Sequence, residues 1–106
     1  MLSLKVNAVS RAREMGWSCD LTLDFLCALW EEQGGLCALT GKTLSLEKEK
    51  QRWGGILVSL DRIDSSKGYT QDNVWLTTTA VNYAKGVQSL EDFVEMCKTV
   101  VEKFNA

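Results

Sequence analysis

The sequence predicts a single α+β domain in which two short strands are followed by a helix and flanked by further helices. The chain has 106 residues, 45% apolar and 25% charged, which suits one globular core. Two apolar segments, 56–60 and 74–78, lie on either side of a polar loop and resemble strands. Apolar residues also recur at helical spacing near both ends of the chain.

Two helices are predicted in the first third of the chain. Apolar residues at helical spacing indicate one helix over about 3–15, which Gly16 ends. The second helix is expected to begin at a cap supplied by Asp20 or Thr22 and to end at Gly34.

The middle of the chain alternates turns, charged residues and strands. A Thr-Gly turn within 36–44 predicts a small hairpin or knuckle. Residues 47–52 are densely charged and are expected to form an exposed loop or helical turn. The loop 64–73 contains Gly68, which is expected to take the positive φ that other residues resist.

Two more helices are expected after the second strand. From about Thr79 the pattern suits a helix that Gly86 stops. Ser89 and Asp92 fit a capping box ahead of the last helix. The predicted apolar face of that helix consists of Leu90, Phe93, Val94, Cys97, Val100, Val101 and Phe104.

One domain, 1–106, is predicted to contain three parts. Residues 1–35 form a helical N-terminal part, 36–86 a knuckle followed by a strand–strand–helix core, and 87–106 a C-terminal helix. The chain has no proline, and neither a repeat nor a low-complexity linker suggests a second domain. The economical arrangement is a strand pair that the helix crosses, with the other helices beside it.

Charge and hydropathy exclude several classes of protein. The net charge of −2 and the pI near 5.1 argue against a protein that coats nucleic acid indiscriminately, so phosphate contacts must be local. No apolar run approaches the roughly 20 residues that span a bilayer, and the first residues lack a signal-peptide core. We therefore expect a cytoplasmic protein without a membrane partner.

The cysteine pattern argues against structural zinc. The chain has four cysteines, no Cys-x-x-Cys pair and no histidine, so a zinc site is not expected. Reduced and mostly buried thiols are predicted instead. These residues are Cys19, Cys27, Cys37 and Cys97.

The polar chemistry of the chain is concentrated in residues 60–74 and in Asn82 and Lys85 shortly afterwards. Asp61 offers a carboxylate and Asn82 a neutral carbonyl oxygen, both of which suit Mg²⁺. The alternative for Asp61 is an ion pair with Arg62 or with a nearby lysine. Because there is no histidine, a hydrolytic site would need another proton acceptor.

Five short motifs follow one another in the chain: CALTG at 37–41, SLDRID at 59–64, KGYT at 67–70, DNV at 72–74 and VNYAK at 81–85. This series resembles the phage-type HNH endonucleases, and the likeness covers most of the chain. The resemblance implies a ββα-metal fold, in which a helix crosses a short antiparallel pair of strands. Such a fold holds one divalent cation, Mg²⁺ or Mn²⁺, and hydrolyses phosphodiester bonds in DNA.

The resemblance also implies roles for four candidate catalytic residues. Asp61 and Asn82 match the metal ligands of the family, and Asn73 matches the residue that braces the loop. Arg62 stands where the family normally has the histidine that takes a proton from water. With a pKa above about 12, arginine cannot serve as that base, although it can hold a phosphate through two parallel hydrogen bonds. Tyr69 is the nearest other proton acceptor in sequence, and a poor one.

Contact with DNA is expected to be mostly with its backbone, and solvation is the alternative for each cation. The candidate residues are Arg11, Arg13, Lys48, Lys50, Arg52, Arg62, Lys67 and Lys85. No separate module for reading base sequence is visible, so high specificity would require a protein partner or a homodimer.

Two functions follow from the resemblance. The first is a bacteriophage HNH-like, metal-dependent endonuclease that nicks or cleaves DNA in the host bacterial cytoplasm. The second is a catalytically silent HNH relative that binds DNA or a host protein as a regulator, which the substitution at Arg62 and the acidic net charge favour.

Overall fold

The computed structural model describes residues 1–47 and 55–105. The described residues form four helices and one two-stranded antiparallel sheet, so the predicted α+β class is confirmed. The elements are α1 (Leu2–Met15), α2 (Leu23–Gln33), β1 (Val58–Arg62), β2 (Val74–Thr78), α3 (Thr79–Lys85) and α4 (Leu90–Asn105). Lys48, Lys50 and Arg52, together with most of the charged segment predicted at 47–52, lie outside the described residues.

β1 lies two residues further along the chain than predicted. Its register pairs Val58 with Thr78 at one end and Arg62 with Val74 at the other. Leu57, just before the strand, forms a parallel bridge with Ser45, and its carbonyl accepts the Thr79 N–H at 2.8 Å. The polar end of β1 stays in the ladder, because the backbone hydrogen bonds of a strand do not depend on side-chain polarity.

α3 begins directly after β2 and packs against both strands. The side-chain oxygen of Thr78 caps it by accepting the N–H of Val81 at 3.2 Å. Gly86 ends it with a positive φ of 57°, as predicted. Asn82 and Lys85 are three residues apart on this helix and therefore lie on the same face.

The N-terminal helices and the knuckle agree with the prediction. The Thr22 hydroxyl, and not Asp20, caps α2 by accepting the N–H of Phe25 at 3.0 Å. The side-chain amide of Gln33 then binds β2, since it donates to the carbonyl of Leu76 and accepts its N–H, both at 2.9 Å. The knuckle is held by an antiparallel bridge between Leu36 and Thr43.

Gly68 does not take the positive φ that was predicted for it. Its lack of a side chain serves a close approach instead, because an added Cβ would collide with the carbonyl oxygen of Ser18. The Tyr69 N–H donates to the same carbonyl at 2.9 Å. These contacts fasten the loop between β1 and β2 to the segment that follows α1.

The core lies between α1, α2 and the sheet, and α4 contributes little to it. Its central residues are Ala8, Ala12, Leu21, Leu26, Cys37, Leu44, Val58, Leu60, Tyr69, Val74 and Leu76. Of the apolar face predicted for α4, Phe93 is buried, whereas Val100 and Phe104 are exposed. The apolar face that helical periodicity predicted is therefore buried only at its start, and most of it is exposed along α4.

The prediction of mostly buried thiols is wrong. All four cysteines are free, but Cys37 alone is buried, and Cys27 and Cys97 are exposed because they lie on the outer faces of α2 and α4. None of the helices in the described residues combines the length and apolar composition needed to cross a bilayer.

Candidate functional site

A groove of about 440 Å³ lies between α1, β1 and α3. It brings together four of the residues singled out from the sequence, namely Arg11, Asp61, Arg62 and Asn82. The other polar side chains along it are Asn7, Ser59, Ser65, Tyr69, Thr79 and Tyr83. The volume falls within the range typical of ligand sites.

Asp61 is the penultimate residue of β1 and is only 4% exposed. The ammonium of Lys85 lies 3.2 Å from its Oδ1, and the indole N–H of Trp75 donates to its Oδ2 at 2.7 Å. Both carboxylate oxygens are therefore engaged within the protein. The ion pair with a nearby lysine, which the sequence left open as an alternative, is the arrangement found.

Lys85 has no exposed side-chain surface. Its ammonium donates to the Arg62 carbonyl at 3.3 Å as well as to Asp61. The lysine therefore projects from α3 into the end of β1, where its charge balances the buried carboxylate. The sequence analysis placed this residue at a phosphate, but the structure places its ammonium beneath the groove.

Sequence reasoning missed the role of Trp75 at this site, which follows from the register of the two strands. Trp75 lies directly opposite Asp61 in the register of the sheet. Side chains of directly opposite residues project on the same face and contact one another. The register was not available from the local pattern, because the predicted β1 began and ended two residues too early.

Asn82 projects from α3 toward β1. Its Nδ2 donates to the Ser59 hydroxyl at 2.7 Å and, at 3.5 Å, to the Leu60 carbonyl. These bonds orient the amide, and its Oδ1 is the atom that remains for a ligand in the groove. Asn82 and Asp61 therefore border the same groove, but only the asparagine offers an uncommitted oxygen.

Arg62 fastens the β1–β2 loop. Its Nη1 donates to the carbonyls of Ser65 and Lys67 at 2.7 and 2.8 Å. The guanidinium also lies 3.6 Å from the centre of the Trp17 ring and 5.7 Å from that of Tyr69. Stacking and two carbonyl acceptors hold the group in one orientation, while its remaining donors are available to an anion.

Asn73 organises the same loop from its other end. Its Oδ1 accepts the Asp64 N–H at 2.9 Å, and its Nδ2 donates to the carbonyls of Asp64 and Gly68 at 3.0 and 2.9 Å. Asn73 is buried, so these three bonds hold the backbone of the loop from its inner side, and the bond to the Gly68 carbonyl is itself buried. Its place in the structure is that of a loop brace, away from the lining of the groove.

Asp64 caps a turn within this loop. The Ser66 hydroxyl and then the Ser66 N–H donate to its carboxylate, at 2.6 and 2.9 Å. These hydrogen bonds, with smaller contributions from the positive charges of Lys67 and Arg62, hold the pKa of Asp64 below its usual value. Asp64 is therefore engaged as a turn cap within the loop.

The described surface cations differ in their position relative to the groove. Arg11 is exposed on α1, lines the groove and lies 5.7 Å from the Trp17 ring centre. Arg13 is also exposed on α1 but is not among the groove residues. Lys67 is exposed on the β1–β2 loop. In the part of the chain that the structure describes, Arg11 and Arg62 are therefore the arginines that border the groove.

Cys37 ties the knuckle to β2 and lies apart from the groove. Burial by itself raises the pKa of its thiol, but hydrogen bonds from the Thr40 hydroxyl and from nearby backbone N–H groups outweigh burial and leave the pKa below its ordinary value. The sulfur accepts the Thr78 N–H at 3.3 Å. This thiol has a structural acceptor role at the start of α3.

No protein-family model, curated protein or solved structure matches this chain. The geometry of the groove therefore carries the functional argument.

As arranged, the residues present do not fit a resident divalent cation. Among the described residues no three acidic or cysteine side chains come together as a metal cluster. The metal ligands expected from the sequence are Asp61 and Asn82, but the Asp61 carboxylate is already paired with the Lys85 ammonium. The groove suits an anion better, since the oriented Arg62 guanidinium and the Arg11 side chain border it.

Proposed function

We propose that this protein is an HNH-like domain that binds the phosphate backbone of DNA in the groove between α1, β1 and α3. The observation that carries the proposal is the local charge. Arg11 and Arg62 border the groove, and Asp61, the one carboxylate among its described lining residues, is balanced by Lys85. The groove is therefore cationic although the chain as a whole carries a charge of −2.

Arg62 is the anchor of the proposed phosphate site. Its guanidinium is already held by Trp17 and by the loop carbonyls, so little conformational entropy is lost when it binds an anion. A planar guanidinium can present two parallel N–H groups to a phosphate. Arg11, on the facing helix, supplies a second positive charge at the exposed edge.

We expect Arg11→Ala to weaken binding of a short DNA duplex about tenfold at low salt, the loss of one charge-assisted contact worth about 1.4 kcal/mol. Fluorescence polarisation at several salt concentrations measures this effect. The slope of the logarithm of the binding constant against the logarithm of salt concentration should also decrease in magnitude by about one, since one phosphate contact is lost.

Arg13→Ala is the matched control, because Arg13 is exposed on the same helix but lies outside the groove. Less than a twofold change is expected for this variant. Equal losses in the two variants, or no detectable binding by the wild-type chain at low salt, would refute the proposed groove.

Metal-dependent cleavage of DNA is the second candidate, and one observation favours it. Asp61 and Asn82, the two residues that the HNH resemblance assigns to the metal, do border the same groove. A divalent cation would supply Lewis-acid chemistry at the phosphate. The Asp61–Lys85 ion pair would first have to separate, so we favour binding without cleavage.

A plasmid-nicking assay distinguishes these two candidates. We expect no nicking by the wild-type chain above background in the presence of Mg²⁺ or Mn²⁺, because the carboxylate is held by Lys85 and Trp75. Nicking that is lost in Asp61→Asn but kept in Asp72→Asn, an exposed carboxylate of the β1–β2 loop, would establish the endonuclease instead. Circular dichroism checks that both variants are folded.

A further inference from the structure

Tyr83 is an aromatic side chain on the α3 side of the groove that the described chain leaves unpacked. It lines the groove and is 77% exposed. Among the described residues, nothing hydrogen-bonds its hydroxyl, and its ring pairs with neither another ring nor a cation. The other tyrosine, Tyr69, is 8% exposed, and its ring centre lies 6.1 Å from that of Trp17 in an edge-on arrangement. Tyr69 therefore packs the loop, whereas the ring of Tyr83 is open to a ligand.

The groove has two chemically different parts. Arg11 and Arg62 supply positive charge on one part. Tyr83 and Val87, which is also 77% exposed, form an apolar edge on the other. Ser65 joins the two parts, because its carbonyl accepts from Arg62 Nη1 at 2.7 Å and its hydroxyl donates to the Val87 carbonyl at 2.9 Å. The apolar edge and the anchoring arginine are therefore neighbours along the groove.

A phosphate backbone alone would use only the cationic part of this groove. A nucleotide in a single strand offers a phosphate together with a base whose face is free, whereas the bases of a duplex are paired and stacked inside it. Proteins that bind single strands combine a cationic groove with aromatic side chains on which the bases stack. Phosphate contacts release more counterions from a duplex than from a single strand, so a preference for the single strand must come from its bases.

We propose that the groove takes a single strand of DNA, with a phosphate at Arg62 and Arg11 and an unpaired base stacked on Tyr83. The inference rests on the proposed function, because it requires that the groove arginines bind DNA. Every base has a face that can stack, so the site selects the form of the strand and not its sequence.

Fluorescence polarisation with three labelled probes tests the base contact. The probes are a thymine oligonucleotide of about 12 nucleotides, its duplex with the complementary strand, and an abasic strand of the same length. The wild-type chain should bind the thymine strand most tightly. Tyr83→Ala should weaken binding of that strand about tenfold, since one stacked base is lost, and should change binding of the other two probes less than twofold. Because Tyr83 is mostly exposed and alanine favours the helix, the variant should remain folded.

Two variants serve as controls. Tyr83→Phe keeps the ring and should bind all three probes like the wild type. Phe104→Ala removes a ring of similar exposure, 80%, from α4, outside the groove, and should also bind like the wild type.

Three results would overturn the proposed single-strand site: a loss below twofold on the thymine strand in Tyr83→Ala, an equal loss on the abasic strand, or tighter binding of the duplex than of the thymine strand. Each of them leaves the phosphate groove standing as long as Arg11→Ala still weakens binding of the duplex. If Arg11→Ala leaves binding of all three probes unchanged, the phosphate groove fails and the single-strand site fails with it.

Discussion

Replacing Lys85 by methionine is expected to lower the free energy of unfolding by about 3–5 kcal/mol, the usual cost of leaving one member of a buried ion pair without its partner. Lys85 is completely buried and lies 3.2 Å from the Asp61 carboxylate, which is itself 4% exposed. In Lys85→Met that carboxylate keeps only the Trp75 N–H as a donor in the described structure. Urea denaturation followed by tryptophan fluorescence measures the change.

Two further variants show whether the loss arises from the ion pair. Asp61→Asn combined with Lys85→Met removes both charges and keeps an acceptor oxygen for Trp75, so the double variant should be more stable than Lys85→Met alone. Lys67→Met, on the exposed loop, should not move the denaturation midpoint. A loss below about 1 kcal/mol in Lys85→Met would be incompatible with a buried, paired charge.

Asn73→Ala is expected to lower the free energy of unfolding by about 2–4 kcal/mol, because each buried polar group left without a partner costs about 1–3 kcal/mol and part of the loop can relax. The variant leaves the Asp64 N–H and the carbonyls of Asp64 and Gly68 without the side chain that satisfies them. The same denaturation assay measures the effect on stability.

Hydrogen exchange locates the effect of Asn73→Ala within the molecule. The Asp64 amide, which donates to Asn73 Oδ1, should exchange much faster, whereas amides in the centre of α2 should change only through global stability. Asn7→Ala, at an exposed position inside α1, serves as the control and should not lower the midpoint, since alanine favours the helix. Unaltered protection at Asp64 would show that the loop is held by other contacts.

The ends of the helices were predictable because the capping residues that set them lie next to them in the sequence. Thr22 and Gly34 bound α2, and Gly86 ends α3, through hydrogen bonds and φ angles that depend on a few neighbouring residues. The limits of β1 were not predictable in this way. They depend on Ser45, which pairs with Leu57 from twelve residues away.

The same distinction applies to the groove. The sequence pattern singled out Asp61, Arg62, Asn73 and Asn82 as chemically informative positions. It did not identify their partners. Asp61 pairs with Lys85, which is 24 residues away in the sequence, and Arg62 stacks on Trp17, which lies just after α1. Such partners are set by the packing of helices on the sheet, which no local periodicity encodes.

The sequence by itself determined the α+β class, the order of the helices and strands, and the segment in which the polar chemistry lies. Only the tertiary structure decided what that chemistry is, because the net charge of a groove depends on which side chains pack against it. Lys85 turns a candidate metal ligand into half of a buried ion pair, and Trp17 orients Arg62 beside the groove. Likewise, the apolar face of α4 was visible in the sequence, but its exposure followed from how little of the helix the core covers.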